Sequence, residues 1–347
     1  MKKNSLDEQY LKLVKKIMSK GTEKMDRTET GTISIFGEQI RHDMSEGFPL
    51  LTSKQMSLKN IATELNWFIS GSTDIRDLWK SNCHIWDGDA YKRYAKEYME
   101  ENPVFSGPYP HFFTKEEFIE KVIAYDTPFA GRHAELGPIY GSQWRNFNNQ
   151  GIDQIKNLIK DINENPDSRR LIVTAWNPAQ IKDMILPPCH YGFQCYTREL
   201  NANERLNIYK SVGGDSFIGT YSNNHIFNNS ALQILKNANI PTRELSLMWN
   251  QRSVDTLLGL PYNIASYGLL LLLLCKQTNC VPGELIGNLG DTHIYKDQLS
   301  YVQKQLDNET FDLPTVTIDF PDSQSYEISF KIENYQNAGR VYYPLSN

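Results

Sequence analysis

Residues 262–276 hold the strongest constraint in the chain. From Tyr262 to Lys276 almost every residue is apolar, with six consecutive leucines at 269–274 followed by Cys275. A helix that is apolar on nearly every face must be surrounded by protein, so this segment is expected at the centre of a core. The unbroken apolar run is far shorter than the roughly 20 residues needed to span a bilayer. The first residues, MKKNSLDEQYLKLVKK, carry lysines but no apolar segment of the kind a secretory signal has. A membrane or secreted protein is therefore not expected. A cytoplasmic setting is, or a host cytoplasm if the source is viral.

The surrounding pattern supplies partners for that helix. Leu6–Lys20 places apolar residues at 10, 11, 13, 14, 17 and 18, which predicts a helix ending at Gly21. Ser57–Ser70 predicts a buried helix closed by Gly71, and Ile152–Asn163 an amphipathic one followed by the turn Asn165-Pro166-Asp167. Thr32–Ile40, Arg170–Trp176, Phe193–Thr197 and Leu245–Trp249 read as strands, and Thr315–Glu333 as two more. Without a strict βαβ rhythm, the expected class is α+β: one domain over 1–347, built on a mixed, twisted sheet with flanking helices. Two segments read as insertions. Residues 88–135 are polar and Tyr-rich; residues 199–243 are Asn-rich and poorly periodic from Val212 to Asn229.

Charge and cysteines narrow the partners. Thirty-six basic against 41 acidic residues give a net charge of -5, without the basic bias of a DNA-binding protein. A small anion needs only a few local arginines and stays open. The five cysteines form no CxxC pair and one is odd, which suits free thiols better than disulfides or a zinc site. No metal is implied.

Several residues are candidates for chemistry. Cys189, in Leu-Pro-Pro-Cys-His, lies at a strand start beside His190 and near arginines, surroundings that favour a nucleophilic thiolate. The competing interpretation is a buried small hydrophobe. Arg27, Arg169, Arg170 and Arg252 with Ser253 sit in short loops, as phosphate ligands or as ordinary ion-pairing residues. Asn263 either caps the apolar helix or offers a donor and an acceptor to a uracil edge. His293 and Tyr295 would share one face of an extended stretch. Glu64 is polar within the apolar Ile61–Phe68, so it is either a structural hydrogen-bonded carboxyl or an acid/base group.

Taken in order, DRTETGTISIFG, FPLLTSK, ELNWFISGSTDI, LGPIYGSQWR, PDSRRLIVTAWNP, LPPCHYGFQ, QRSVDTLLGLPYNIASYGLLL and GNLGDTHIY resemble the thymidylate synthase family from near residue 26 to near 300. The resemblance implies a homodimer packed sheet to sheet, dUMP and folate as ligands, and neither DNA nor membrane as partner. It assigns Cys189 as the nucleophile, and Glu64, Tyr140 and His190 to proton management. It assigns Arg27, Gln251, Arg252, Ser253, Asn263, His293 and Tyr295 to the nucleotide, with Arg169 and Arg170 reaching the partner's phosphate site. Asp255, Trp86 and Lys54 go to the folate.

The reaction so implied is addition of the thiol to C6 of dUMP and transfer of a one-carbon unit from 5,10-methylenetetrahydrofolate to C5. Hydride from the same folate then gives dTMP and dihydrofolate. Water reaching the C5 methylene would give 5-hydroxymethyl-dUMP instead. That product, and an inactive nucleotide- or RNA-binding homologue, are the alternatives. The chain departs from the family pattern at Glu29, at Ser57, after Trp86 (Asp87-Gly88-Asp89), and in the tail, where Ala338-Gly339 replaces His-Pro.

Overall fold

The apolar segment forms α11 (Gly259–Thr278), and the protein is assembled around it. A computed structural model describes residues 4–25, 30–101, 112–123, 127–214, 229–320 and 327–345. From Ile264 to Cys275 only Leu272 is not fully packed. Among the described residues α11 alone is long and apolar enough to cross a membrane, but 72% of its apolar window is buried inside the protein. A core helix passes the same test of length and composition.

The sheet explains why such a helix is needed. Six strands lie in the order β1-β2-β6-β5-β4-β3: Thr22–Lys24, Thr32–Asp43, Cys280–Tyr295, Arg243–Asp255, His190–Glu199 and Ile172–Thr174. β5 and β6 are parallel and the other pairs antiparallel. Consecutive parallel strands need a crossover; α11 is that crossover, and it packs back onto both strands. The inward row Phe193, Trp249, Gly287 is in register across β4, β5 and β6. On the opposite face an amide ladder crosses three strands, Gln39 Nε2 to Asn288 Oδ1 at 2.9 Å and Asn288 Nδ2 to Asn250 Oδ1 at 3.0 Å. Exposed Phe36 lies on β2 and exposed Tyr196 on β4, with β6 and β5 between them.

Two further helices hold the core. α1 (Ser5–Lys20) packs on β2; it is capped by Asn4, and buried Asp7 ties it to the 50s loop by accepting from Thr52 N at 2.9 Å and Ser53 N at 3.0 Å. α2 (Leu58–Ser70) is capped by Ser57, so the departure at that position has a structural use, and it ends at Gly71 with φ +79°, where glycine is favoured. α2 meets α7 (Tyr140–Arg145) closely: a Cβ on Gly141 would stand 2.3 Å from Phe68 O.

Several expectations change in extent. The Arg170–Trp176 strand shortens to Ile172–Thr174, while the strand at 245–249 extends to 243–255. The long central strand β6 (280–295) was anticipated only near 290–295, because Pro282, Gly283 and Gly287 interrupt its alternation. Among the described residues the two terminal strands pair with each other alone, as β7 (Thr315–Asp319) and β8 (Ser329–Glu333).

The suggested insertions differ from one another. α4 (Asp87–Glu101), α5 (Lys115–Ile123) and α6 (Pro128–Ala134) send Tyr94, Phe118 with Val122, and Ala134 into the main core. α9 (Ala202–Ser211) and α10 (Asn229–Asn237) instead bury Leu206, Ala231 and Leu235 in a small cluster of their own. Most of the aperiodic 212–229 stretch lies outside the described residues.

Candidate active site

The site gathers at the ends of β4, β5 and β6, where α2, α7 and the start of α11 meet them. Cys189 immediately precedes β4 and is half-buried. Its loop is clamped by Arg252 of β5, whose backbone N–H donates to Cys189 O at 2.8 Å. The Arg252 guanidinium donates to Pro188 O at 2.9 Å and Pro187 O at 2.7 Å, and lies 5.7 Å from the Trp176 ring centre. The Pro-Pro turn has no N–H of its own to spare for the loop, and these arginine bonds fix its carbonyls. Tyr140 Oη accepts from Cys189 N–H at 2.8 Å.

His190 departs from expectation in one respect. It is buried, its Nδ1 pairs with Tyr267 Oη at 3.0 Å, and its ring stacks on Tyr140 at 4.3 Å between centroids. Burial pushes its pKa down to about 3. The imidazole is therefore neutral near pH 7 and supplies no positive charge to favour a Cys189 thiolate.

Glu64 is half-buried by surface but densely walled by protein. Loss of water pushes its pKa up to about 7, opposed by the hydrogen bond from Trp86 Nε1 at 2.9 Å. Trp86 is buried, between Trp67 at 5.9 Å and Tyr140 at 6.1 Å. Its indole edge thus belongs to Glu64. Burial also pushes the Tyr140 phenol well up, so it stays protonated.

Asn263 does not cap α11: that position falls to Leu258, and Asn263 lies within the helix. Its Oδ1 accepts from Gln251 Nε2 at 3.1 Å. His293 and Tyr295 do share a face, with ring centres 5.1 Å apart, and His293 Nδ1 lies 3.2 Å from Asp291 Oδ1. Ser253 pairs in register with Asp291. Arg169 and Arg170 are exposed, and among the described residues neither makes an ion pair. Arg27 and Glu29 lie outside the described residues.

The third group forms a separate wall. Asp255 Oδ1 accepts from Leu257 N at 3.2 Å and Leu258 N at 3.1 Å, and burial raises its pKa. Among the described residues its Oδ2 has one bond, 3.3 Å from Gln298 Nε2, which leaves it able to accept from a ligand. Lys54 is buried beside it, donating to Leu257 O and lying 5.1 Å from the Tyr343 ring centre. Burial pushes Lys54 down to about 8, with Asp255 holding it up. The tail closes this wall through Tyr343 Oη to Gln305 at 2.6 Å, Gln298 Nε2 to Pro344 O at 3.2 Å and Ala338 N to Thr52 O at 2.9 Å. Residues unanticipated from sequence are Tyr267, Gln298 and Tyr343, distant in the chain from the atoms they hold, and Trp249, whose two-residue spacing from Gln251 on one strand was the available signal.

A thiol on a clamped turn, a carboxyl poised near neutrality and a neutral histidine define a site suited to covalent addition chemistry, set in an α+β sheet domain. The family profile described as thymidylate synthase matches residues 8–347. The chain is 40% identical to the thymidylate synthase of Phytoplasma mali over 333 residues, covering 95% of this chain and 96% of the relative. It is 41% identical to that of Mycoplasma mobile over 311 residues (90% and 88%) and 37% identical to that of Mycoplasma genitalium over 337 residues (97% of each). The chain belongs to the thymidylate synthase family.

Proposed function

We infer that the protein methylates dUMP to dTMP through covalent addition of Cys189 to the pyrimidine C6. The observation that carries this is family membership across the whole site, joined to a thiol and a neutral-range carboxyl in one pocket. Arg252 and Ser253, with Arg27, bind the 5′-phosphate; His293 and Tyr295 hold the sugar hydroxyl; Gln251 and Asn263 hold the base edge. Glu64, Tyr140 and His190 hold and move the C5 proton through water, Glu64 as the group whose charge changes near pH 7. The bound folate supplies the one-carbon unit and the hydride. Asp255, Lys54 and Trp86 stand on its side of the pocket, and the open acceptor of Asp255 suits the N–H donors of a pterin ring. The tail departs from the family in sequence, yet Tyr343 and Pro344 are pinned beside Asp255. This favours exclusion of water and the methyl product.

The protein functions as a cytoplasmic homodimer in this account. The sheet face bearing Tyr196 and the Gln39–Asn288–Asn250 amide ladder meets a second copy, and exposed Arg169 and Arg170 enter the partner's phosphate site. The segments 88–135 and 199–243 are elaborations of one catalytic domain, the second packing at the surface. The decisive experiment incubates protein, dUMP and methylenetetrahydrofolate and identifies both products by mass spectrometry. dTMP with dihydrofolate is expected. Hydroxymethyl-dUMP with tetrahydrofolate would refute the methyl-transfer assignment.

A further inference from the structure

Trp249 is fully buried on the inward face of β5. The fold makes room for it at Gly287 of β6, where an added Cβ would stand 2.3 Å from the indole Cζ2. Its ring stacks on Tyr267, 5.3 Å between centres and 8° from parallel. The indole Nε1–H donates to Gln251 Oε1 at 3.2 Å. Gln251 Nε2 then donates to Ser253 O at 3.0 Å and to Asn263 Oδ1 at 3.1 Å.

The polarity of this chain is what matters. A side-chain amide can turn over and exchange donor for acceptor, so its orientation is set by its neighbours. An indole N–H only donates and a backbone carbonyl only accepts. Trp249 and Ser253 therefore fix Gln251 from both ends, and Gln251 in turn fixes Asn263 with its oxygen toward Nε2. Among the described residues the Asn263 Nδ2 has no hydrogen-bond partner, which leaves a donor for a ligand. Its oxygen retains a second lone pair.

We propose that Trp249 is a positioning residue for nucleobase choice: its one-way N–H orients the Gln251 and Asn263 amides to accept a uracil edge and refuse a cytosine edge. This rests on the assignment of Asn263 to the base. Uracil presents O4 as an acceptor and N3–H as a donor, which the fixed amide matches. Cytosine presents the opposite pair and requires Asn263 to turn. Its Nδ2 would then face Gln251 Nε2. Turning Gln251 as well would set its Nε2 against the indole N–H and its oxygen against Ser253 O.

The test is equilibrium binding of dUMP and dCMP to wild type and Trp249→Phe, which keeps the stacked ring and removes the donor. The dUMP/dCMP affinity ratio is expected to fall by about tenfold, the scale of one hydrogen bond. The residual preference comes from Ser253. If Trp249→Phe does not fold, site-specific replacement of Trp249 by its benzothiophene isostere removes the N–H at constant shape and is expected to give the same fall. An unchanged ratio in either folded variant overturns the proposal, as does equal weakening of both nucleotides. A wild-type protein with no preference for dUMP would instead overturn the assignment of Asn263, and this proposal with it.

Discussion

At the scale of single residues, the chemistry turns on where water is removed. Glu64 is raised from 4.5 to about 7 by burial against one hydrogen bond from Trp86. Because its native pKa lies above the unfolded value, folding favours the protonated form. Stability from this group is intact below about pH 4.5 and is lost as pH rises through 7. Glu64→Gln should therefore gain stability relative to wild type at pH 8 compared with pH 5, read by denaturant titration at both. An equal gap at the two pH values would show that Glu64 is not buried as described. Catalysis runs the other way, since the carboxylate form accepts the C5 proton, so activity should rise with pH through a limb near 7. Trp86→Phe removes the bond that lowers the pKa, and that limb should move up by about one pH unit. Retention of the wild-type pH profile would remove Trp86 from this role. Polar Glu64 in an apolar helix was conspicuous in the sequence. The neutrality of His190 was not, because it depends on burial and on Tyr267, remote in the chain.

Between elements, the approach of α2 and α7 brings Glu64 and Tyr140 into one pocket, and Gly141 permits it. A methyl there would meet Phe68 O at 2.3 Å and Phe68 Cα at 2.9 Å, both backbone atoms that cannot turn aside. Gly141→Ala should cost about 1–3 kcal/mol of stability and lower the rate further by displacing Tyr140. Gly131, inside α6, has nothing within 4 Å of its added Cβ and is the matching control. Gly131→Ala should be neutral or stabilising by up to about 1 kcal/mol, from helix propensity. Comparable losses for the two variants would refute the close-approach argument. α1, α2 and α8 (Gln154–Glu164) were legible because their apolar faces repeat at helical spacing and their caps are explicit, Asn4, Ser57 and Asp153; α11 was legible from its unbroken apolar run. β6 was not, since the glycines that admit neighbouring side chains such as Trp249 erase its alternation.

For the whole molecule, the proposed dimer bears on how the phosphate is held. Arg169 and Arg170 follow the Asn165–Ser168 turn and are exposed, while Arg252, proposed for the phosphate, gives two of its N–H donors to Pro187 and Pro188. A dianionic phosphate is held best by several arginine forks, and a second copy offering its own arginine pair would add to Arg252. In a two-fold dimer each subunit then lends arginines to the other site. Cys189→Ala lacks the nucleophile but can lend arginines; a double variant Arg169→Ala, Arg170→Ala has the nucleophile but cannot lend. Each alone should be nearly inactive. After unfolding and refolding together in equal amounts, half of the dimers are mixed, and each mixed dimer carries one site with both its own Cys189 and the partner's arginines. Activity should return to about a quarter of wild type by this statistical count. No recovery, with mixed dimers confirmed by mass spectrometry, would show that Arg169 and Arg170 serve their own subunit or none.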